Sequence, residues 1–161
     1  MNIRKYFWIF SIMGGLVSII SIMTPTSYND ITPTLYYVWM TQLAVDVDPI
    51  AIYLLRQDLI LVLISWILFF IIFSSSLFAI ALTNVYIRNS LSFKKLKWKL
   101  MIIPILIIFS TLVWIFMMEF FYNSYGYNHW IVSGGGYSPY FGVVGPFIGA
   151  SLIPLGSFSK R

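Results

Sequence analysis

The chain has 161 residues, of which 60% are hydrophobic and only 9% charged, with a net charge of +5 and no cysteine. A soluble domain carries about 25% charged residues, so this chain has too few polar side chains to cover a water-facing surface. Disulfides, thiolate metal sites and cysteine nucleophiles are excluded, and the basic excess lies in clusters beside apolar runs, which fits membrane topology and not nucleic-acid binding.

Four apolar spans are expected, at residues 6–23, 59–87, 100–118 and 140–158. The first runs from Tyr6 to Met23 without a charge, behind Arg4 and Lys5. It exceeds the roughly 7–15 residues of a signal-peptide core, and Ile-Met-Thr-Pro-Thr offers no small-x-small cleavage site, so it reads as a retained anchor.

The following outer segment, 24–58, is rich in aromatic and β-branched residues. Pro25 and Pro33 interrupt helix, and Thr34-Leu-Tyr-Tyr-Val-Trp-Met-Thr41 reads as a strand or an aromatic platform at the interface. Asp46-Val-Asp48-Pro49 is expected to turn the chain, with Ile50–Leu55 as a short amphipathic lead into the second span. The two aspartates lack the Asx-x-Asx-Gly run and the distal Glu of an EF-hand, so a solvated acidic turn is expected there.

Leu59 to Ile87 is uncharged, and 19 of its 29 residues are Leu, Ile, Val or Phe. As a helix it is about 43 Å long, enough to tilt or protrude. Ser74-Ser-Ser76 within it is expected to bond backbone carbonyls or neighbouring helices. The inner loop 88–99 holds five of the ten cations, including Phe93-Lys-Lys-Leu-Lys-Trp-Lys99.

The third span covers Leu100 to Met118, with Pro104 in its first turns, and ends at Glu119. The second outer segment, 120–139, carries Tyr122, Tyr125, Tyr127, His129, Trp130, Tyr137 and the triplet Gly134-Gly-Gly136. Tyr140 to Phe158 is the fourth span, threaded with Gly142, Gly145, Pro146, Gly149, Pro154 and Gly156. Such a span is expected to pack against protein rather than face lipid alone.

Charge sets the orientation. Nine of the ten cations lie before span one, between Arg88 and Lys99, or at the end of the chain. All five acids (Asp30, Asp46, Asp48, Asp58 and Glu119) lie on the other side. Short Lys/Arg-rich loops stay cytoplasmic, which puts both termini inside a cell membrane.

No G-x-S-x-G, H-E-x-x-H or P-loop run is present, and the spans hold no ionised side chain between their ends. Coupled transporters keep such residues at membrane depth. Glu119 and His129 alone make a poor metal site. The chain therefore reads as non-enzymatic, without cofactor or metal. Two pairs in span one, Ser11/Gly15 and Gly14/Ser18, and Gly145/Gly149 in span four match small-x-x-x-small, which lets helices approach closely within the chain or between copies.

The order of short inner N-terminus, long outer segment, basic inner loop, shorter outer segment and inner C-terminus resembles the claudin and peripheral-myelin-protein tetraspans. In that family the first outer segment carries a W…GLW…C…C pattern within a small β-sheet. Here Tyr36-Tyr37-Val38-Trp39 lies in the comparable place, with Trp39 matching the second tryptophan, while the Gly-Leu and both cysteines are absent. The resemblance implies a four-helix membrane bundle, otherwise all-α, with a small outer β or irregular aromatic segment between spans one and two. It also implies lateral or cell-to-cell contact with itself or with other membrane proteins. Tyr36, Tyr37, Trp39, Gly145 and Gly149 are then the interaction candidates. The alternative is an accessory subunit of a membrane enzyme or transport complex, docked through the glycine face of span four. Because the chain has no native cysteine, single cysteines report topology cleanly: one replacing Ser92 should resist an impermeant thiol reagent in intact cells and one replacing Ser133 should react, and the reverse pattern would invert the orientation.

Overall fold

A computed structural model describes residues 6–29, 34–37, 39, 43–47, 50–54, 59–88, 93–124 and 137–158. The helices are α1 (Trp8–Ile22), α2 (Leu59–Ile87), α3 (Phe93–Ser124) and α4 (Phe141–Leu152), the last continued by a 3-10 helix, Ile153–Phe158. The strands are β1 (Ser27–Asn29), β2 (Thr34–Tyr37), β3 (Leu43–Val47) and β4 (Ile50–Leu54), with β5 (Tyr137–Pro139) just before α4.

The helices form a ring in which α1 packs on α2, α2 on α3, α3 on α4, and α4 back on α1. Leu63, Ile67, Phe70, Ile105, Phe109 and Phe116 are exposed, whereas Ser11, Ser18, Ser76, Thr83, Thr111 and Ser157 are buried. A water-soluble bundle would place these two sets the other way round. Lipid tails are as apolar as leucine, so small polar residues that permit close packing go inside. Most of these buried hydroxyls bond carbonyls one turn back or across a helix contact. Ser76 Oγ donates to Ile72 O at 2.7 Å, Thr83 Oγ1 to Ala79 O and Thr111 Oγ1 to Ile107 O, both at 2.8 Å, and Ser11 Oγ to Ile153 O. The fold is a helical membrane bundle.

Three helical stretches are long and apolar enough to cross a bilayer: Leu59–Ile87, Leu96–Phe120 and Phe141–Phe158. The first expected span is shorter as a helix than as an apolar run. Met23 N and Thr24 N close the last turn on Ile20 O and Ser21 O at 3.1 and 3.0 Å, and Pro25 follows. That leaves α1 with 15 residues, about 22 Å.

The second span coincides with α2. The third is a correction: α3 starts at Phe93, not Leu100, so the expected inner loop 88–99 is partly helix and Pro104 lies three turns inside. The reason is amphipathic spacing. Leu96 and Leu100 are both buried, one turn apart, while Lys97, Trp98 and Lys99 between them face outward.

The sheet has the order β4-β3-β2-β1-β5, every pair antiparallel. The chain does reverse between Val47 and Ile50, as expected, although Asp46 itself is in β3, opposite Thr34 and Ala51. One expectation is corrected: Ile50–Leu54 is not a lead into α2 but the edge strand, pairing Ile52 with Val45. Tertiary pairing, which uses the β-branched residues on both strands, decides these short segments. The fifth strand comes from the second outer segment, which composition alone did not mark as strand. Asp30, Asp48, Arg56, Asp58, His129 and Gly134–Gly136 lie outside the described residues.

The α1–α4 seam is glycine against serine. A Cβ on Gly145 would overlap Ser21 Cβ, and one on Gly149 would overlap Ser18 Oγ and lie 2.5 Å from Gly14 O. A Cβ on Gly14 would in turn lie 2.5 Å from Gly149 O and 2.8 Å from Ile153 N, and one on Gly156 would overlap Ser11. Gly15 looks the other way, toward α2, where a Cβ would lie 2.9 Å from Ser76 O. Overpacking of this kind costs roughly 1–3 kcal/mol. Gly145→Ala should therefore lower the melting temperature in detergent, and Ser21→Gly should recover part of that loss. Purely additive effects in this double-mutant cycle would show that the two residues do not meet.

Candidate functional site

Among the described residues, the sheet and the bundle meet around Gly142. The antiparallel α1–α4 pair hands over directly to the β1–β5 pair: Ser27 pairs with Pro139, and below it Tyr140 N donates to Thr26 O at 2.9 Å and Gly142 N to Pro25 O at 2.7 Å. No Cβ fits on Gly142, since it would overlap Pro25 O and lie 2.7 Å from Thr24 O. Glycine is thus required by close approach of two backbones.

The carbonyl of Gly142 has a second partner. In an α-helix it would accept from the N–H four residues on, but that residue is Pro146, which has none. The indole Nε1–H of Trp39 donates to it instead, at 2.8 Å. Trp39 is only 2% exposed and stacks on Trp114 of α3, ring centroids 4.1 Å apart and planes 21° apart. One side chain from the outer segment therefore reaches into the bundle, bonds α4 and stacks on α3. An offset-stacked pair is worth about 0.5–1.5 kcal/mol beyond the area it buries.

The interaction candidates sort differently from the sequence reading. Trp39 is a core anchor, not a contact surface. Gly145 packs on Ser21 and Gly149 on Ser18 and Gly14, the within-chain use that the small-x-x-x-small spacing allowed. Of Tyr36 and Tyr37 the backbone is described, on β2, opposite Ser27 and Ala44 and opposite Leu43. Glu119 lies near the C-terminal end of α3, half-buried. Among the described residues no three of His, Cys, Asp and Glu cluster as metal ligands.

Sequence reasoning missed Gly142 and Trp114. The signal for Gly142 was present as a Gly-x-x-x-Pro pair, which predicts one free carbonyl. Nothing in the sequence marked Trp114 apart from other span tryptophans. The free hydroxyl of Ser65, buried on α2 with no hydrogen-bond partner among the described residues, was equally silent.

No family model, curated protein or solved structure matches the chain. The class of the protein rests on its own geometry: a helical membrane bundle carrying a small antiparallel sheet, riveted at Trp39.

Trp39→Phe keeps the stacked ring and removes the donor, so it should cost about 1–3 kcal/mol by stranding the Gly142 carbonyl. In a Pro146→Ala background the restored main-chain N–H takes over that carbonyl, and the penalty of Trp39→Phe should shrink. Equal penalties in both backgrounds, read by thermal unfolding, would refute the exchange of donors.

Proposed function

We propose that the chain is a non-enzymatic four-span protein of claudin-like plan that makes lateral or cell-to-cell contacts through its outer sheet. The observation that carries this reading is the fixed attachment of the sheet to the bundle. A loop serving only to connect two spans needs neither five paired strands nor a buried tryptophan rivet. The edge strand β4 ends the described sheet, and an edge of this kind offers backbone groups for strand addition.

α1, with its flanking turns, serves as the fourth span. Its exposed side chains Tyr6, Ile9, Phe10, Met13, Leu16, Ile20 and Met23 continue the apolar belt of its neighbours. Trp8 of α1, Ile87 of α2, Phe93 of α3 and Phe158 lie at the end of the bundle away from the sheet. By the distribution of lysine and arginine that end is cytoplasmic and the sheet is outside the cell membrane.

An accessory subunit would dock through a face other than Gly145 and Gly149, which pack on α1. The deciding measurement is native mass spectrometry of the tagged protein extracted gently from its own membranes. Multiples of 18.6 kDa alone are expected; additional subunits in fixed proportion would overturn self-association in favour of the accessory role. Disrupting β4 should shift those multiples toward the monomer. Ile52→Lys, which places a charge in the edge strand, is expected to do so without loss of the Trp39 anchor.

A further inference from the structure

We infer that the inner end of α3 binds the headgroup of an anionic phospholipid. Lys97, Trp98 and Lys99 are exposed there, and Arg88 is exposed at the adjoining end of α2. Trp98, 65% exposed, is an interfacial aromatic. Lys99 Nζ lies 5.6 Å from the centroid of the Phe78 ring, on the outer wall of the bundle and not in its core, because Phe78 is itself exposed.

In the sequence no Asp or Glu lies between Arg88 and Lys99. Asp30, Asp46, Asp48 and Asp58 fall between α1 and α2, and Glu119 lies near the opposite end of α3. Among the described residues no acidic side chain lies beside these cations, so an external anion can supply the opposite charge. The depth is right for a lipid phosphate: from Lys99 to Glu119 is 20 residues along one helix, about 30 Å, which is the thickness of the hydrocarbon layer. With Glu119 at one interface, Lys99 lies at the other, where its ammonium rests on Phe78 by one side and presents its remaining donors to the headgroups. A zwitterionic headgroup supplies the same phosphate with its own cation attached, so net-negative lipids are selected.

The test is native mass spectrometry of the full chain in mild detergent, titrated with phosphatidylglycerol or with phosphatidylcholine of the same acyl chains. Adducts counted on the monomer peak make the result independent of self-association. Phosphatidylglycerol should bind more tightly, in a manner weakened by added salt, and each of Lys97→Gln and Lys99→Gln should lower its apparent affinity about fivefold. Lys99→Arg should retain binding. Equal binding of the two lipids by the parent, or phosphatidylglycerol binding unchanged in the Lys97→Gln/Lys99→Gln double variant, overturns the site. Should the glutamine variants unfold on heating well below the parent, the parent's lipid selectivity and its salt dependence decide alone.

Discussion

Pro146 cannot donate to the carbonyl of Gly142, and the indole N–H of Trp39 does so in its place. That exchange ties the segment between α1 and α2 to α4. A proline within a helix leaves a bare carbonyl one turn back, and leaving a buried carbonyl unsatisfied costs about 1–3 kcal/mol. Filling the vacancy with a side chain from the outer segment turns a defect of α4 into an attachment point. The same residue accepts a second constraint through its own N–H, bonded to Pro25 O, so α4, the end of α1 and the outer segment converge on Gly142.

The second organising feature is the seam between α1 and α4. In water, association of two helices is driven largely by burying apolar side chains. In lipid that drive is absent, and close van der Waals approach replaces it. The alternation of Ser11, Gly14, Ser18 and Ser21 with Gly156, Gly149 and Gly145 brings the backbones together to the point where a Cβ does not fit at Gly14, Gly145 or Gly149. The seam continues without interruption into β1 and β5, so the helix pair and the strand pair act as one antiparallel unit. A short α1 is tolerated because α4 supports it along its length.

Charge is segregated along the bundle as strictly as polarity is across it. Lys97, Lys99 and Arg88 are exposed at one end of the α2–α3 pair, and the half-buried Glu119 lies toward the other end of α3. Such a separation of charge along a bundle is the pattern that sets orientation in a bilayer.

Apolar run length and the placement of lysine and arginine were enough to mark the helices, because insertion depends on composition summed over some twenty residues and not on neighbours. The bounds of α2 were legible to the residue, and the strand at Thr34–Tyr37 could be read from its aromatic and β-branched content. Where a short segment had two readings, local pattern did not decide. Asp46 and Ile50–Leu54 became strand only because β2 and β3 were there to pair with, and α3 began at Phe93 because Leu96 and Leu100 found a partner surface. Trp39 looked like a surface contact, since an aromatic residue outside the spans usually rests at the interface. Only the three-dimensional arrangement brought it to Trp114 and Gly142, across 75 and 103 positions of sequence. The sequence by itself determined what is solvated by lipid and which end carries the positive charge. The tertiary structure decided which small residues meet and which carbonyl receives the indole, because those depend on contacts between segments that no local pattern encodes.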